Sequence, residues 1–238
     1  MPSAPKWLFD VVDLFISKLP YVVITNVEFI SQTVKKIHLN GDFKDLSFPV
    51  GCYIDFRVSD TEARRYTVAK ADRENGFLEF IVHVHGAGSG SQFMQELKPG
   101  DKIKMNKPRT ERNYYDRSAN RFIVFGDETS LALACSFLPL LKQNNQDFHF
   151  YFELDDQNKN APELLGLENY TTFSKNGSFR NEEWIAELPL FQTADFQKAN
   201  FVLTGNAKSA QSFRKVAKGK GAQKTYLHGY WLEGKKGL

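Results

Sequence analysis

Two short stretches carry the residue types with the most evident chemistry: Arg64-Arg65-Tyr66-Thr67 and His85-Gly86-Ala87-Gly88-Ser89-Gly90-Ser91-Gln92-Phe93. Arg64 and Tyr66 stand two apart in a segment rich in β-formers, so a strand sends both side chains from one face. A guanidinium there can fork onto phosphate oxygens while the phenol packs beside a flat ring. Thr67 adds a hydroxyl, and Val68 continues the strand. In the second stretch, Gly86, Gly88 and Gly90 let backbone N–H groups approach a ligand closely. Ser89 followed by Gln92 reads as a capping box that opens a short helix, and Lys98-Pro99-Gly100 ends it. Unpaired amides at such a start, Ser91 among them, favour an anion. Together the two stretches suit a ligand with a pyrophosphate and a flat conjugated ring.

Something must hold these residues in place, and the surrounding pattern predicts what. Strands are expected over 21–28, 33–39, 53–58, 66–71, 77–84 and 102–105, separated by turn signals at Asn40-Gly41, Pro49-Val50-Gly51 and Asn75-Gly76. That rhythm is the one of a small antiparallel barrel. Around residues 110 to 120 it lapses into charged and polar residues, the best linker candidate. Afterwards strand and helix alternate: strands over 121–125, 147–152, 201–204 and 224–229, helices over 129–142, 182–187 and 209–217. Alternation of this kind implies a parallel sheet with helices on its faces, with 155–172 as a long irregular connection. The expected division is therefore an extension over 1–19, a barrel over 20–115 and an α/β domain over 116–238.

The first turn of the α/β domain reads Gly126-Asp127-Glu128-Thr129-Ser130, without a glycine fingerprint. Two carboxylates at a helix start complement its dipole and repel a pyrophosphate, which places the diphosphate at 89–91 instead. Asp127 and Thr129 have a second reading, as helix caps only. The next strand ends in Glu153-Leu154-Asp155-Asp156, where an acid can accept from an adenosine ribose hydroxyl and repel a 2′-phosphate. NADH is on that ground favoured over NADPH.

Other signals exclude more than they assign. A net charge of +3 over 238 residues is too small to argue for nucleic acid, and the aromatics are not interleaved with the basic residues as a stacking platform requires. Cys52 and Cys135 have no partner at metal or redox spacing and read as buried thiols of a reducing compartment. His83 and His85 can face one way on a strand but are too few for a metal site, and none is expected. No serine or cysteine stands beside a plausible base. The apolar run from Trp7 to Ile16 contains Asp10 and Asp13 and reads as an amphipathic helix rather than a cleaved leader. No membrane span is expected, and the chain reads as a soluble, cytoplasmic monomer. Lys198, Lys208, Arg214, Lys215, Lys218, Lys220, Lys224, Lys235 and Lys236 make the end of the chain basic, either as a solvated face or as an attraction for an anionic ligand.

The Arg-x-Tyr-Thr strand resembles that of the ferredoxin-reductase-like flavoproteins. More narrowly, His85 to Phe93 is similar to the His-Gly-x-Gly-Pro-x-Ser-x-Trp pattern of the siderophore-interacting protein family, with Ser89 for proline and Phe93 for tryptophan. Lys98-Pro99-Gly100-Asp101, Gly126-Asp127-Glu128-Thr129 and Gly229-Tyr230-Trp231 match the family in order and spacing, although Leu232 and Glu233 follow where an arginine is frequent. The resemblance implies a Greek-key barrel that binds FAD, followed by a smaller α/β domain. It implies FAD contacts from Arg64, Tyr66, Thr67, Val68, His83, His85, Gly86, Gly88, Ser89, Gly90, Ser91, Thr129, Tyr230 and Trp231. For His83 and for the Tyr230-Trp231 pair, packing of the barrel and of the last strand are the plainer readings. The activity implied is ferric-siderophore reduction, with electrons passing from NAD(P)H or a ferredoxin through FAD to chelated Fe(III), and with no side chain acting as acid or base. A flavin reductase with another acceptor and a non-enzymatic siderophore-binding protein are the rival readings.

Overall fold

The computed structural model describes residues 21–235; the expected N-terminal helix and Lys236 lie outside them. The chain divides into two compact units, the first ending at Asn113 and the second beginning at Tyr114.

The first unit is a six-stranded antiparallel sheet: β1 (Tyr21–Phe29), β2 (Val34–Asn40), β3 (Tyr53–Arg57), β4 (Ala63–Asp72), β5 (Phe77–His83) and β6 (Lys102–Lys104). Their order across the sheet is β3-β4-β5-β2-β1-β6. The chain beyond β6 comes back against β3, where Tyr53 and Arg109 exchange backbone hydrogen bonds of 2.9 Å and Asn106 Nδ2 donates to the Asp55 carbonyl at 3.0 Å. The barrel is thereby nearly closed, which leaves little free edge for another chain to pair with. Alternation decides which side chains fill it: Ile37 and Leu39 of β2 and Leu78, Phe80 and Val82 of β5 point into one core. A register shift between Val68 and Lys70 of β4 marks a bulge, which bends that strand just after the Arg-x-Tyr-Thr segment. One helix, α1 (Ser89–Glu96), packs against the same core through Met94, and Leu97 follows it inward.

The second unit is a five-stranded sheet built from β7 (Arg121–Gly126), β8 (Asp147–Leu154), β9 (Tyr170–Ser174), β10 (Asn200–Leu203) and β11 (Lys224–Leu227). All pairs are parallel, in the order β11-β10-β7-β8-β9. The order reverses direction between β7 and β10, so the crevice of this sheet opens at their carboxyl ends. Helices α2 (Leu131–Gln143) and α5 (Ala207–Gly219) are the long ones, with α3 (Ala161–Leu164) and α4 (Glu182–Ala186) short. Phe122 of β7 meets Phe137 of α2, while Phe125 turns the other way to Phe213 of α5, ring centroids 5.6 and 5.0 Å apart. A strand buried on both faces must carry an unbroken apolar run, as Phe122-Ile123-Val124-Phe125 does.

Two elements differ from expectation. The connection over 155–172 is not irregular throughout: it holds α3 and the start of β9, an edge strand whose Tyr-Thr-Thr-Phe-Ser composition is a strand signal in hindsight. The helix expected from residue 129 begins as a 3₁₀ turn, Glu128–Ser130, before α2. Phe213 is fully buried and its ring meets those of Phe125, Phe179, Phe191 and Phe201. Phe213→Ala is expected to lower the stability of this unit by about 3–5 kcal/mol. Urea denaturation followed through Trp184, which packs on Phe179 at 5.0 Å, measures it.

Candidate functional site

In the first unit the two stretches come together. Arg64 and Tyr66 leave one face of β4 and lie against the first turn of α1. A Cβ placed on Gly90 would stand 2.8 Å from Arg64 Cγ and 2.8 Å from the Tyr66 hydroxyl oxygen. Only a glycine lets the helix start approach the strand this closely. At Gly88 the backbone itself demands glycine, since φ is 83° and ψ 152°.

The expected capping box is absent, for a positional reason. Gly88 occupies the N-cap and Ser89 is already the first helical residue, so the Ser89 hydroxyl cannot fold back onto the helix amides. It donates instead to Glu62 Oε2, while Ser91 Oγ accepts from the Gly86 N–H at 3.0 Å and closes the loop. The helix start therefore has no side-chain cap.

Glu62 is the residue that sequence reasoning missed. Its other oxygen, Oε1, lies 3.2 Å from Arg64 NH2, so the carboxylate links the cation to the helix start. The signal was available: the period of two that pairs Arg64 with Tyr66 puts Glu62 in the same row. A negative charge at that place offsets Arg64 and competes with any anion brought there.

Burial pushes the Tyr66 phenol well above its ordinary range, with Arg64 only partly opposing it. It stays a neutral, flat donor, its ring 6.1 Å from Phe56 of the barrel core. Thr67 is opposite Tyr53 of β3, and Val68 is a core side chain, 3% exposed. His85 is exposed, its ring 5.4 Å from that of His83 at the end of β5. Arg65, which alternation sends to the other face, stacks on Tyr53 at 4.5 Å and pairs with Asp55 and Glu111. Of the two adjacent arginines, only Arg64 faces the glycine loop.

In the second unit, the residues after β7 form a buried charge cluster at the carboxyl ends of the strands. Asp127 Oδ1 accepts from the Thr129 N–H at 2.9 Å and from the Thr129 hydroxyl at 2.5 Å, capping the 3₁₀ turn. Its Oδ2 accepts from the Trp231 indole N–H at 2.5 Å. Trp231 is held further by its carbonyl, which accepts from the Ala207 N–H at 2.9 Å, and Tyr230 by its N–H to the Gly205 carbonyl at 2.8 Å. Glu128 is fully buried, accepts from the Asp155 N–H at 2.7 Å and from Asn158 Nδ2 at 3.0 Å, and pairs with Lys175. Burial by itself would raise its carboxyl, but the Lys175 ammonium and these hydrogen bonds hold it below the usual range.

Glu153, one candidate for a ribose contact, is 3% exposed and so cannot reach a ligand sugar. The acids left at that strand end are Asp155, 3.8 Å from Lys175, and Asp156, which accepts from the Ser174 hydroxyl at 2.8 Å and pairs with Lys159. Several cations of the basic C-terminal stretch are already engaged: Lys215 with Glu182 at 2.8 Å, Lys224 with Asp116 at 2.6 Å, and Arg214 Nε with the Thr225 hydroxyl at 3.3 Å.

The donor set fits an anionic dinucleotide with an attached flat ring: one inward arginine, an uncapped helix start reached through glycines, and a neutral phenol beside them. The fold is that of the ferredoxin-reductase-like flavoproteins, a barrel followed by a parallel α/β unit. Residues 21–114 match the family model of the oxidoreductase FAD-binding domain. Among curated proteins the chain is similar to NADH-cytochrome b5 reductase 2 of Candida glabrata, 22% identical over 152 residues, which cover 58% of this chain and about half, 49%, of that one. Among solved structures it resembles the siderophore-interacting protein SipS of Aeromonas hydrophila, with a TM-score of 0.72 and 18% identity over 92% of this chain and 93% of that one. A siderophore utilization protein from T. fusca gives a TM-score of 0.70 and 22% identity over 92% and 94%. No helix among the described residues is long and apolar enough to cross a membrane.

Burial, with Asp127 adding to it, pushes the Glu153 carboxyl up to about 7, against the Ser209 hydrogen bond and the charges of Lys175 and Arg180. The native state thus binds a proton there that the unfolded chain releases near the ordinary value of 4.5. This stabilising contribution is complete below that value and is lost as pH rises through about 7. Glu153→Gln is expected to flatten the dependence of the melting temperature on pH between about 5 and 8 and to raise it at the alkaline end, as thermal unfolding across that range would measure.

Proposed function

We propose that the protein is an FAD-dependent ferric-siderophore reductase that draws electrons from NADH, NADPH or a ferredoxin. The observation that carries the cofactor part of this reading is the contact at Gly90, which sets Arg64, Tyr66 and an uncapped helix start around one place. Arg64 would take the diphosphate in bidentate fashion with the amides of residues 89 to 91, and Tyr66 would lie along the flat ring with Thr67 beside it. His85 and the Gly86–Ser91 loop would border the dinucleotide. Bound FAD would supply the exchange between two-electron and one-electron chemistry that no side chain here can perform. The protein's part is to bind and orient, and no acid or base is required of it.

The substrate part of the reading rests on the siderophore-interacting structures that share the fold over more than nine-tenths of both chains. Ferrous iron is a poorer match than ferric iron to hard oxygen chelators, so reduction would loosen the metal. A second reading, electron transfer from NADH to another acceptor, is favoured by the similarity to a cytochrome b5 reductase. Anaerobic mixing of the flavin-loaded protein with NADH, NADPH or reduced ferredoxin, followed by a ferric siderophore and a ferrous trap, separates the two. Flavin reduction without any ferrous product would exclude the first.

Two substitutions act in opposite directions on the cofactor. Arg64→Ala is expected to weaken FAD binding by at least about tenfold, the loss of a charge-assisted hydrogen-bond pair. Glu62→Gln removes the competing charge and is expected to tighten it severalfold. Flavin fluorescence during titration of the apoprotein measures both, and wild-type affinity in Arg64→Ala would take Arg64 out of the site.

A further inference from the structure

Lys35 is the most unusual buried cation among the described residues. It is 2% exposed and lies on β2, two residues from Ile37, on the face that fills the barrel. A lone ammonium in such a place is costly unless all its hydrogens are used. All three are: Nζ donates to the carbonyls of Met94 at 2.9 Å, Gln95 at 2.9 Å and Leu97 at 2.8 Å. These are carbonyls at the end of α1, where the backbone runs out of internal donors. The helix carries no basic residue in its last turn and is capped by Leu97 rather than by a left-handed glycine. Lys35 supplies from across the barrel what the helix sequence lacks. The ring of Phe29, 5.8 Å from Nζ, lies alongside the ammonium.

The other end of the same helix is the Gly88–Ser91 start, which has neither a side-chain cap nor an acid in its first turn. One end is closed by a buried cation and the other is left without a side-chain cap, close to Arg64. We propose that Lys35 is a positioning residue for the flavin dinucleotide: by clamping the carboxyl end of α1 to β2, it fixes the axis and depth of the helix and so the place of the amides at residues 89 to 91. This rests on the FAD reading above. Through the eight-residue helix, a loosened carboxyl end lets the start shift against Arg64 and Tyr66, which Gly90 has brought to the closest distance a backbone allows. Strand β4, which carries both Arg64 and Tyr66, is not held by Lys35. The clamp therefore governs the helix amides offered to the phosphates and not the strand's own contacts with the ring.

That separation gives the test. Apoprotein carrying Lys35→Met, of similar length but uncharged, is titrated with FAD and with riboflavin, which has the ring and no phosphate. Folding of each protein is checked by circular dichroism. The expected result is a loss of about tenfold or more in FAD affinity, equivalent to about 1.4 kcal/mol, with riboflavin affinity within about twofold of wild type. Should Lys35→Met not accumulate as folded protein, Lys35→Arg carries the test. It keeps the charge but is longer and spreads its donors over a plane, so it cannot reproduce three hydrogens directed from one nitrogen to three carbonyls, and a severalfold loss for FAD alone is expected. Unchanged FAD affinity in either folded variant, or equal losses for FAD and riboflavin, would overturn the proposal. A wild-type protein that binds neither flavin would instead overturn the FAD reading itself.

Discussion

The candidate site of the first unit depends on one close approach, that of the first turn of α1 to strand β4 across Gly90. Side chains of 64 and 66 have no chemistry in common unless something brings an anion-binding backbone against them, and a single methyl group at 90 would prevent it. The barrel supplies the rest of the constraint. Its core takes in Met94 and Leu97, so the helix cannot drift away from the strand without exposing apolar surface. Lys35 ties the same end by hydrogen bonds, and Tyr66 is fixed from behind by Phe56. The helix start is thus held by packing, by charge and by steric limit at once, and such preorganisation is what lets a polar ligand be bound without first ordering its site.

The second unit handles charge differently. Asp127 and Glu128 stand where a dinucleotide-binding sheet usually presents glycines, yet both carboxylates are turned inward and occupied, by Thr129 and Trp231 in one case and by Lys175, Asn158 and the Asp155 amide in the other. Two buried acids close together are tolerable only because donors meet nearly every oxygen. Their effect on a ligand at the strand ends is consequently one of shape and local dipoles more than of open negative charge. Trp231 belongs to this structural network, since its indole N–H and its carbonyl are both committed within the unit.

Much of the fold was legible in the sequence because its signals are local. Alternation over 33–39 and 77–84 announces half-buried strands, and the apolar run at 122–125 announces a fully buried one; both were found within a residue or two. The strand at Tyr170–Ser174 was missed because it is short, only half-buried and preceded by residues that look like loop. The capping box at Ser89 and Gln92 was misread because the motif fixes spacing but not phase: the turn begins one residue earlier, at a glycine whose backbone angles no side chain tolerates.

Sequence alone determined that Arg64 and Tyr66 share a face and that the glycines at 86 and 88 leave backbone exposed, because each of these follows from residue types at fixed short spacing. Only the tertiary structure decided that Glu62 bridges Arg64 to the helix start, that Lys35 caps a helix about sixty residues away, and that Glu153 is sunk out of a ligand's reach. Periodicity assigns a side chain to a face but carries no information about which distant element covers that face. For a charged residue this covering element is what separates a ligand contact from a structural clamp, since the cost of burying a charge is met only by the partners that the folded chain brings to it.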